Sequence, residues 1–184
     1  MFRSQNPIRK SPGKRALLKS MGYTDHDLQR PLIGVANSWN TLVPGHFNLR
    51  QVCSAVSTGI SQAGGTPLEF GFIAACDGLA NGHAGMCCIL PTRDLIANDI
   101  EMMVEAHMLD AVVLAGSCDK IVPGMLMAAA RLDIPAIVVP GGGMEGGMHF
   151  DGRASDITSL GEAQGMLQAG RISQEQFDEL EDRV

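Results

Sequence analysis

Three things are scarce in this sequence, and each scarcity excludes something. Aromatic residues number eight in 184, six Phe, one Trp and one Tyr, so small residues and sharp loops dominate over bulky packing. Cysteine pairs are missing: Cys53, Cys76, Cys87, Cys88 and Cys118 are odd in number, form no CxxC, and the adjacent Cys87 and Cys88 are poor partners. That pattern argues against a disulfide framework. Long apolar runs are absent too; no stretch reaches the roughly 18 uncharged residues a membrane helix needs, and no charged-then-apolar leader opens the chain. The expectation is a reducing, cytoplasmic protein with neither membrane nor nucleic acid as partner.

Lysine is rationed in an informative way. The first 23 residues carry Arg3, Arg9, Lys10, Lys14, Arg15 and Lys19 without an acid, and after Lys19 only Lys120 follows. The basic start reads as a solvated arm with a short helix in preference to a transit peptide or a nucleic-acid arm. Against 14 basic groups stand 20 acidic ones, a net charge of −6, and 45% of residues are hydrophobic. This balance excludes a disordered tail and a generic polyanion binder. The length suits one domain, or one and part of another.

What the chain does contain is a regular alternation. Apolar runs at Leu32–Ala36, Leu68–Ala75, Ala111–Ala115 and Ile134–Val139 alternate with helical patterns at Phe47–Ala63, Thr92–Met108 and Gly124–Leu132, with Pro91 placed to open the middle helix. Continuous apolar runs predict strands covered on both faces. The succession predicts an α/β fold, an open parallel sheet with helices on both faces. Beyond a glycine-rich loop at Gly141–Gly147, helices are expected at Asp156–Leu167 and Gln174–Asp182, the latter opened by a Ser173/Gln176 capping box. The expected organisation is an arm with a short helix over 1–30, an α/β domain over 31–150, and a helical segment over 151–184 leading towards a missing remainder.

In such sheets ligands bind beyond the carboxyl ends of the strands. The polar residues fall there: Asn37 to Thr41 and Pro44-Gly45-His46 after the first run, Cys76-Asp77-Gly78 to His83 after the second, Gly116-Ser117-Cys118-Asp119-Lys120 after the third. Asp77 and Asp119 each follow a cysteine, so they suit either a shared hard cation such as Mg²⁺ or the capping of two turns. Cys76 and Cys118 are open to two readings, soft ligands for iron or inert core thiols. Lys120 suits a base, a charge partner for the acids, a carboxylated metal ligand, or a plain surface lysine. His83 and His46 suit substrate contact or local hydrogen bonding, and His107 suits a helix C-cap. The Gly141–Gly147 loop has backbone donors for a phosphate or carboxylate but not the spacing of a nucleotide motif.

The segments Cys76-Asp77-Gly78, Asn81-Gly82-His83-Ala84-Gly85-Met86, Leu90-Pro91-Thr92-Arg93-Asp94-Leu95-Ile96-Ala97 and Gly116 to Ala129 together resemble the dihydroxy-acid and phosphogluconate dehydratase family. The Lys120–Ala129 segment is closer to its dihydroxy-acid branch. The resemblance implies the N-terminal domain of a larger enzyme, an iron–sulfur, Mg²⁺-dependent lyase. It would remove water from a 2,3-dihydroxy carboxylate to give a 2-keto acid in branched-chain amino-acid (valine, isoleucine) biosynthesis, as a homodimer. By position, Cys118 would bind the cluster, of 2Fe-2S or 4Fe-4S type; Asp77, Asp119 and a carboxylated Lys120 would hold Mg²⁺, and His83 would contact substrate. Many members carry a cluster cysteine where this chain has Gly45, and Cys53 is not at the matching place. The family's remaining cluster cysteine, another Mg²⁺-binding carboxylate and the serine base fall outside these residues, so no catalytic residue is assigned here and the chain alone is expected to be inactive. Two other readings compete: a sugar-acid dehydratase, and a stand-alone, non-catalytic binding domain.

Overall fold

The computed structural model describes residues 2–184, and the chain divides between Gly142 and Gly143 into two compact units. In the first unit the basic arm is not free. Ser4 is buried and donates both its N–H (2.9 Å) and its hydroxyl (2.5 Å) to the Asp110 carboxylate, and Arg3 pairs with Glu105 at 2.8 Å. Helix α1 (Pro12–Lys19) follows, with Ser11 as its cap and Pro12 in its first turn, where a missing N–H costs nothing.

Four strands form one parallel sheet: β1 (Leu32–Asn37), β2 (Thr66–Gly71), β3 (Ala111–Ala115) and β4 (Ala136–Val139), in the order β2-β1-β3-β4. Helix α2 (Leu49–Gln62) joins the first two strands, and α3 (Asp77–Ala80) with α4 (Met86–Ala106) joins β2 to β3. Helix α5 (Ile121–Leu132) joins β3 to β4. Side chains alternate across each strand. On one face Leu32, Val112 and Leu114 pack with Ile96, Ile100 and Val104 of α4 and Ile121, Met125 and Ala128 of α5; on the other, Val35 and Ala115 pack with Leu49 and Cys53 of α2. Each fully buried Leu or Ile stabilises the fold by about 1.5–3 kcal/mol. The expected α/β class, with helices on both faces, is what forms.

Three elements differ most from expectation. The second strand is Thr66–Gly71 rather than Leu68–Ala75. After Phe72, whose N–H still reaches the Asn37 carbonyl at 3.3 Å, the neighbouring strand has ended and the apolar run has no ladder to join. Pro67 is tolerated because β2 is an edge strand. Helix α4 begins at Met86, six residues before the expected Thr92, and Pro91 lies inside it. Short bonds from the N–H groups of Met86, Cys87 and Cys88 back to His83, Ala84 and Gly85 start the helix ahead of the proline, and the Thr92 hydroxyl donates to the Ile89 carbonyl at 2.6 Å. Helix α5 begins at Ile121 rather than Gly124, which puts Pro123 in the first turn, where its missing N–H is harmless. His107 caps α4 as expected, its Nδ1 lying 2.8 Å from the Met103 carbonyl.

The second unit, Gly143–Val184, holds a hairpin of β5 (His149–Phe150) and β6 (Arg153–Ala154) and the helices α6 (Ile157–Gln168) and α7 (Gln174–Arg183). Asp151 and Gly152 turn the hairpin with φ of 46° and 82°, the left-handed pair such a turn demands. Both helices open with capping boxes, Asp156 with Ser159 and Ser173 with Gln176. Among the described residues no helix is long and apolar enough to cross a membrane.

Candidate metal centre

The loops beyond β1, β3 and β4 are bound to one another by buried polar groups. Ser38 donates its hydroxyl to the Ala115 carbonyl at 2.7 Å. His46, fully buried, spans the gap: Nδ1 lies 2.8 Å from the Ser38 carbonyl and Nε2 accepts from the Ser117 N–H at 2.9 Å. The Ser117 hydroxyl in turn accepts from the Gly141 N–H at 2.8 Å. Glycine is required at this junction: a Cβ on Gly116 would lie 2.8 Å from the Ser38 hydroxyl, and one on Gly141 would collide with the Gly45 carbonyl. Buried polar groups of this kind must all be paired, and when paired they rigidify what they join.

Held by this frame, the loop beyond β3 presents Cys118, Asp119 and Lys120 at the start of α5, and the loop beyond β2 presents Cys76 and Asp77 at the start of α3. Cys118 adopts φ 78°, a left-handed conformation that a side-chain-bearing residue takes only at a cost of about 1–3 kcal/mol. Its thiol donates to Asp77 Oδ1 at 3.1 Å. One donor atom from each of Cys76, Asp77 and Cys118 lies within 4.8 Å of the other two. Lys120 Nζ donates to Asp119 Oδ2 at 2.6 Å.

The electrostatics follow from this grouping. The Asp77 carboxyl is held below the usual carboxylate range, first by the Asp119 carboxyl beside it and then by the Cys118 thiol. Burial, with Asp77 next to it, pushes the Cys118 thiol up to about 11, so the thiol stays protonated and serves as the donor. The Lys120 amine is pushed up by its bond to Asp119 and remains an ammonium. Sulfur donors suit iron, and carboxylate oxygens suit Mg²⁺. Sulfur donors of the kind iron takes and an oxygen donor of the kind a hard cation takes are thus both present in the group of Cys76, Asp77 and Cys118.

Of the expected site residues, the structure groups Asp77 and Cys118 with Cys76, and pairs Lys120 with Asp119. His83 is exposed and spends its ring locally, Nε2 lying 2.9 Å from the Leu79 carbonyl and Nδ1 accepting from the Gly85 N–H at 3.0 Å. His46 is a strut between loops. In the glycine-rich loop the N–H groups of Gly141 and Gly147 are already spent on Ser117 and on the Ser155 carbonyl. Sequence reasoning missed the roles of Ser38 and Ser117, whose only signal is a small polar residue directly after a buried strand. A cavity of about 400 Å³ at the same sheet edge is lined by Asn37, Trp39, Arg50, Glu69, Phe70 and Gly71, with the Arg50 guanidinium 3.4 Å from the Trp39 ring centre.

The family model for the N-terminal part of dihydroxy-acid/6-phosphogluconate dehydratases matches residues 30–184. The chain is similar to a dihydroxy-acid dehydratase of Ruminiclostridium cellulolyticum, 53% identical over 96% of this chain and 32% of that protein. It is also 53% identical to one of Pyrococcus abyssi, over 91% of this chain and 30% of that protein. A dihydroxy-acid dehydratase sequence of Clostridium pasteurianum is 48% identical over 95% of this chain and 60% of its own length. The chain thus spans about a third of the length of the first two relatives.

Proposed function

The chain belongs to the dihydroxy-acid/6-phosphogluconate dehydratase family, and on that footing we propose that it forms the N-terminal part of a hydro-lyase converting a 2,3-dihydroxy carboxylate into a 2-keto acid. One observation carries this reading. Loops from two strands that are not sheet neighbours bring Asp77 and Cys118 into contact at 3.1 Å, so oxygen and sulfur donors share one site. The relatives' names support the dihydroxy-acid substrate over a sugar acid.

Asp77 and Asp119 would hold Mg²⁺, and Cys118 an iron–sulfur cluster. Carboxylated on Nζ, Lys120 would bring a third oxygen donor; its ammonium loses two protons as CO₂ is taken up. When bound, these groups supply Lewis acidity for a departing hydroxyl and a clamp for the substrate carboxylate. The chain's own contribution is placement. The His46 strut and the Ser38–Ala115 bond fix the loop that carries Cys118 and Asp119, and the low-lying Asp77 carboxyl enters the site already charged. His83 would contact the substrate, and the general base is assigned to no residue of this chain. The keto acids formed are precursors of valine and isoleucine, and the setting is a cytoplasmic homodimer; five free thiols support a reducing compartment.

A chimera tests the proposal. Fused in frame to the remaining two thirds of the Ruminiclostridium relative and loaded anaerobically with iron, sulfide and Mg²⁺, the chain is expected to release a 2-keto acid from 2,3-dihydroxy-3-methylbutanoate. The 184-residue chain alone is expected to release none. Turnover of gluconate-type acids in preference would assign the sugar-acid branch instead.

A further inference from the structure

The proposed cluster leaves one thiol unexplained. Cys76 stands at the end of the loop beyond β2, half-buried, with Sγ within 4.8 Å of both Cys118 Sγ and an Asp77 oxygen. A thiol that merely fills a core sits among apolar groups. This one faces another thiol and a charged carboxylate. The remaining cysteines are elsewhere: Cys53 is sealed between α2 and the sheet, and Cys87 and Cys88 are exposed on α4.

We propose that Cys76 supplies a second thiolate from this chain to the iron–sulfur cluster, beside Cys118; the inference rests on the cluster reading given above. The first loop offers no sulfur for that role. Its position is Gly45, already pressed against Ser117, where even a Cβ would stand 3.1 Å from the Ser117 Cβ. Cys76 comes instead from the loop beyond β2 and lies within 4.8 Å of Cys118. Ligation takes the proton from each thiol, so two protons leave as the group binds. It also dissolves the bond from the Cys118 thiol to Asp77, leaving that carboxylate free for the cation.

The test compares the chimera described above with its Cys76→Ser, Cys118→Ser and Cys87→Ser variants, each loaded anaerobically with ferrous iron and sulfide. Iron and sulfide per chain, and the visible thiolate-to-iron absorption, are the readouts. Cys76→Ser is expected to retain about tenfold less iron, the lower end of what loss of even a supporting group costs a metal site. Cys118→Ser should lose the cluster similarly and Cys87→Ser should keep it. A measurement on the unaltered protein guards against a variant that fails to fold: Cys76 should resist iodoacetamide when loaded and react once a chelator strips the iron. Full iron with an unchanged spectrum in Cys76→Ser, or equal alkylation of Cys76 with and without iron, overturns the proposal while the cluster reading stands. An unaltered protein that takes up zinc without sulfide, or nothing, overturns both.

Discussion

His46 and Ser117, 71 residues apart, are joined by a hydrogen bond of 2.9 Å from the Ser117 N–H to the imidazole Nε2, inside a site from which water is excluded. The other ring nitrogen sits 2.8 Å from the Ser38 carbonyl. One side chain thus ties the loop beyond β1 to the residue that precedes Cys118. With Nε2 accepting from the Ser117 N–H, Nδ1 is the nitrogen left to donate to the Ser38 carbonyl.

His46→Ala should therefore cost more than its size suggests. It leaves the buried Ser117 N–H without its partner and the Ser38 carbonyl with only a long 3.4 Å bond from the Asn40 amide, and it opens a hole beside them. The expected loss is about 2–4 kcal/mol of unfolding free energy, read as a lower urea midpoint with an unchanged slope. A loss within error of zero would mean that the loops hold without the strut.

Helix packing gives a pair of predictions of opposite sign. A Cβ on Gly124 would stand 2.8 Å from the Arg93 carbonyl and 2.9 Å from the Ile96 Cγ2, so α5 crosses α4 on bare backbone. Gly124→Ala should destabilise by about 1–3 kcal/mol as the helices are forced apart. Gly59, exposed on α2, has nothing within 4 Å of its added Cβ. Gly59→Ala should raise stability by about 0.4–1 kcal/mol. Thermal melts of the two variants should move in opposite directions.

Cys53 sets an alkaline limit. Burial, with a smaller push from Glu69, raises its thiol from an ordinary 9.0 to about 11. Folding therefore favours the protonated thiol, and this contribution is whole below pH 9 and lost as pH rises through about 11. Stability should fall across that window, and less steeply in Cys53→Ala. At about pH 8, where the thiolate is scarce, iodoacetamide should label the exposed Cys87 and Cys88 and spare Cys53 until the chain unfolds. Labelling of native Cys53 at the rate of Cys87 would contradict the burial seen here.

Strands β1 and β3 were legible because each is an uninterrupted apolar run that lies inside the sheet. The end of β2 was not, since Phe72–Ala75 is equally apolar and only the length of its neighbour stops the ladder. Pro91 misplaced the start of α4 because a proline is tolerated either at a helix opening or, at the cost of one bond, within it. At the site, Asp119 and Lys120 are adjacent in sequence, and the lysine's isolation marked it. The contact of Cys118 with Asp77 spans 41 residues and depends on two strands separated by β1, so spacing alone left it open. His46 looked like any loop histidine because its partners lie 8 and 71 residues away.

The central claim is that Asp77 and Asp119 hold the cation of a dehydratase. Its most direct test is the turnover of 2,3-dihydroxy-3-methylbutanoate, at saturating Mg²⁺ and with cluster content matched, by the chimera and by its Asp77→Asn and Asp119→Asn forms. The account predicts that each substitution lowers kcat by about 10²-fold or more, the scale on which removing one preorganised electrostatic group acts. Either variant turning over at the unsubstituted rate would contradict it.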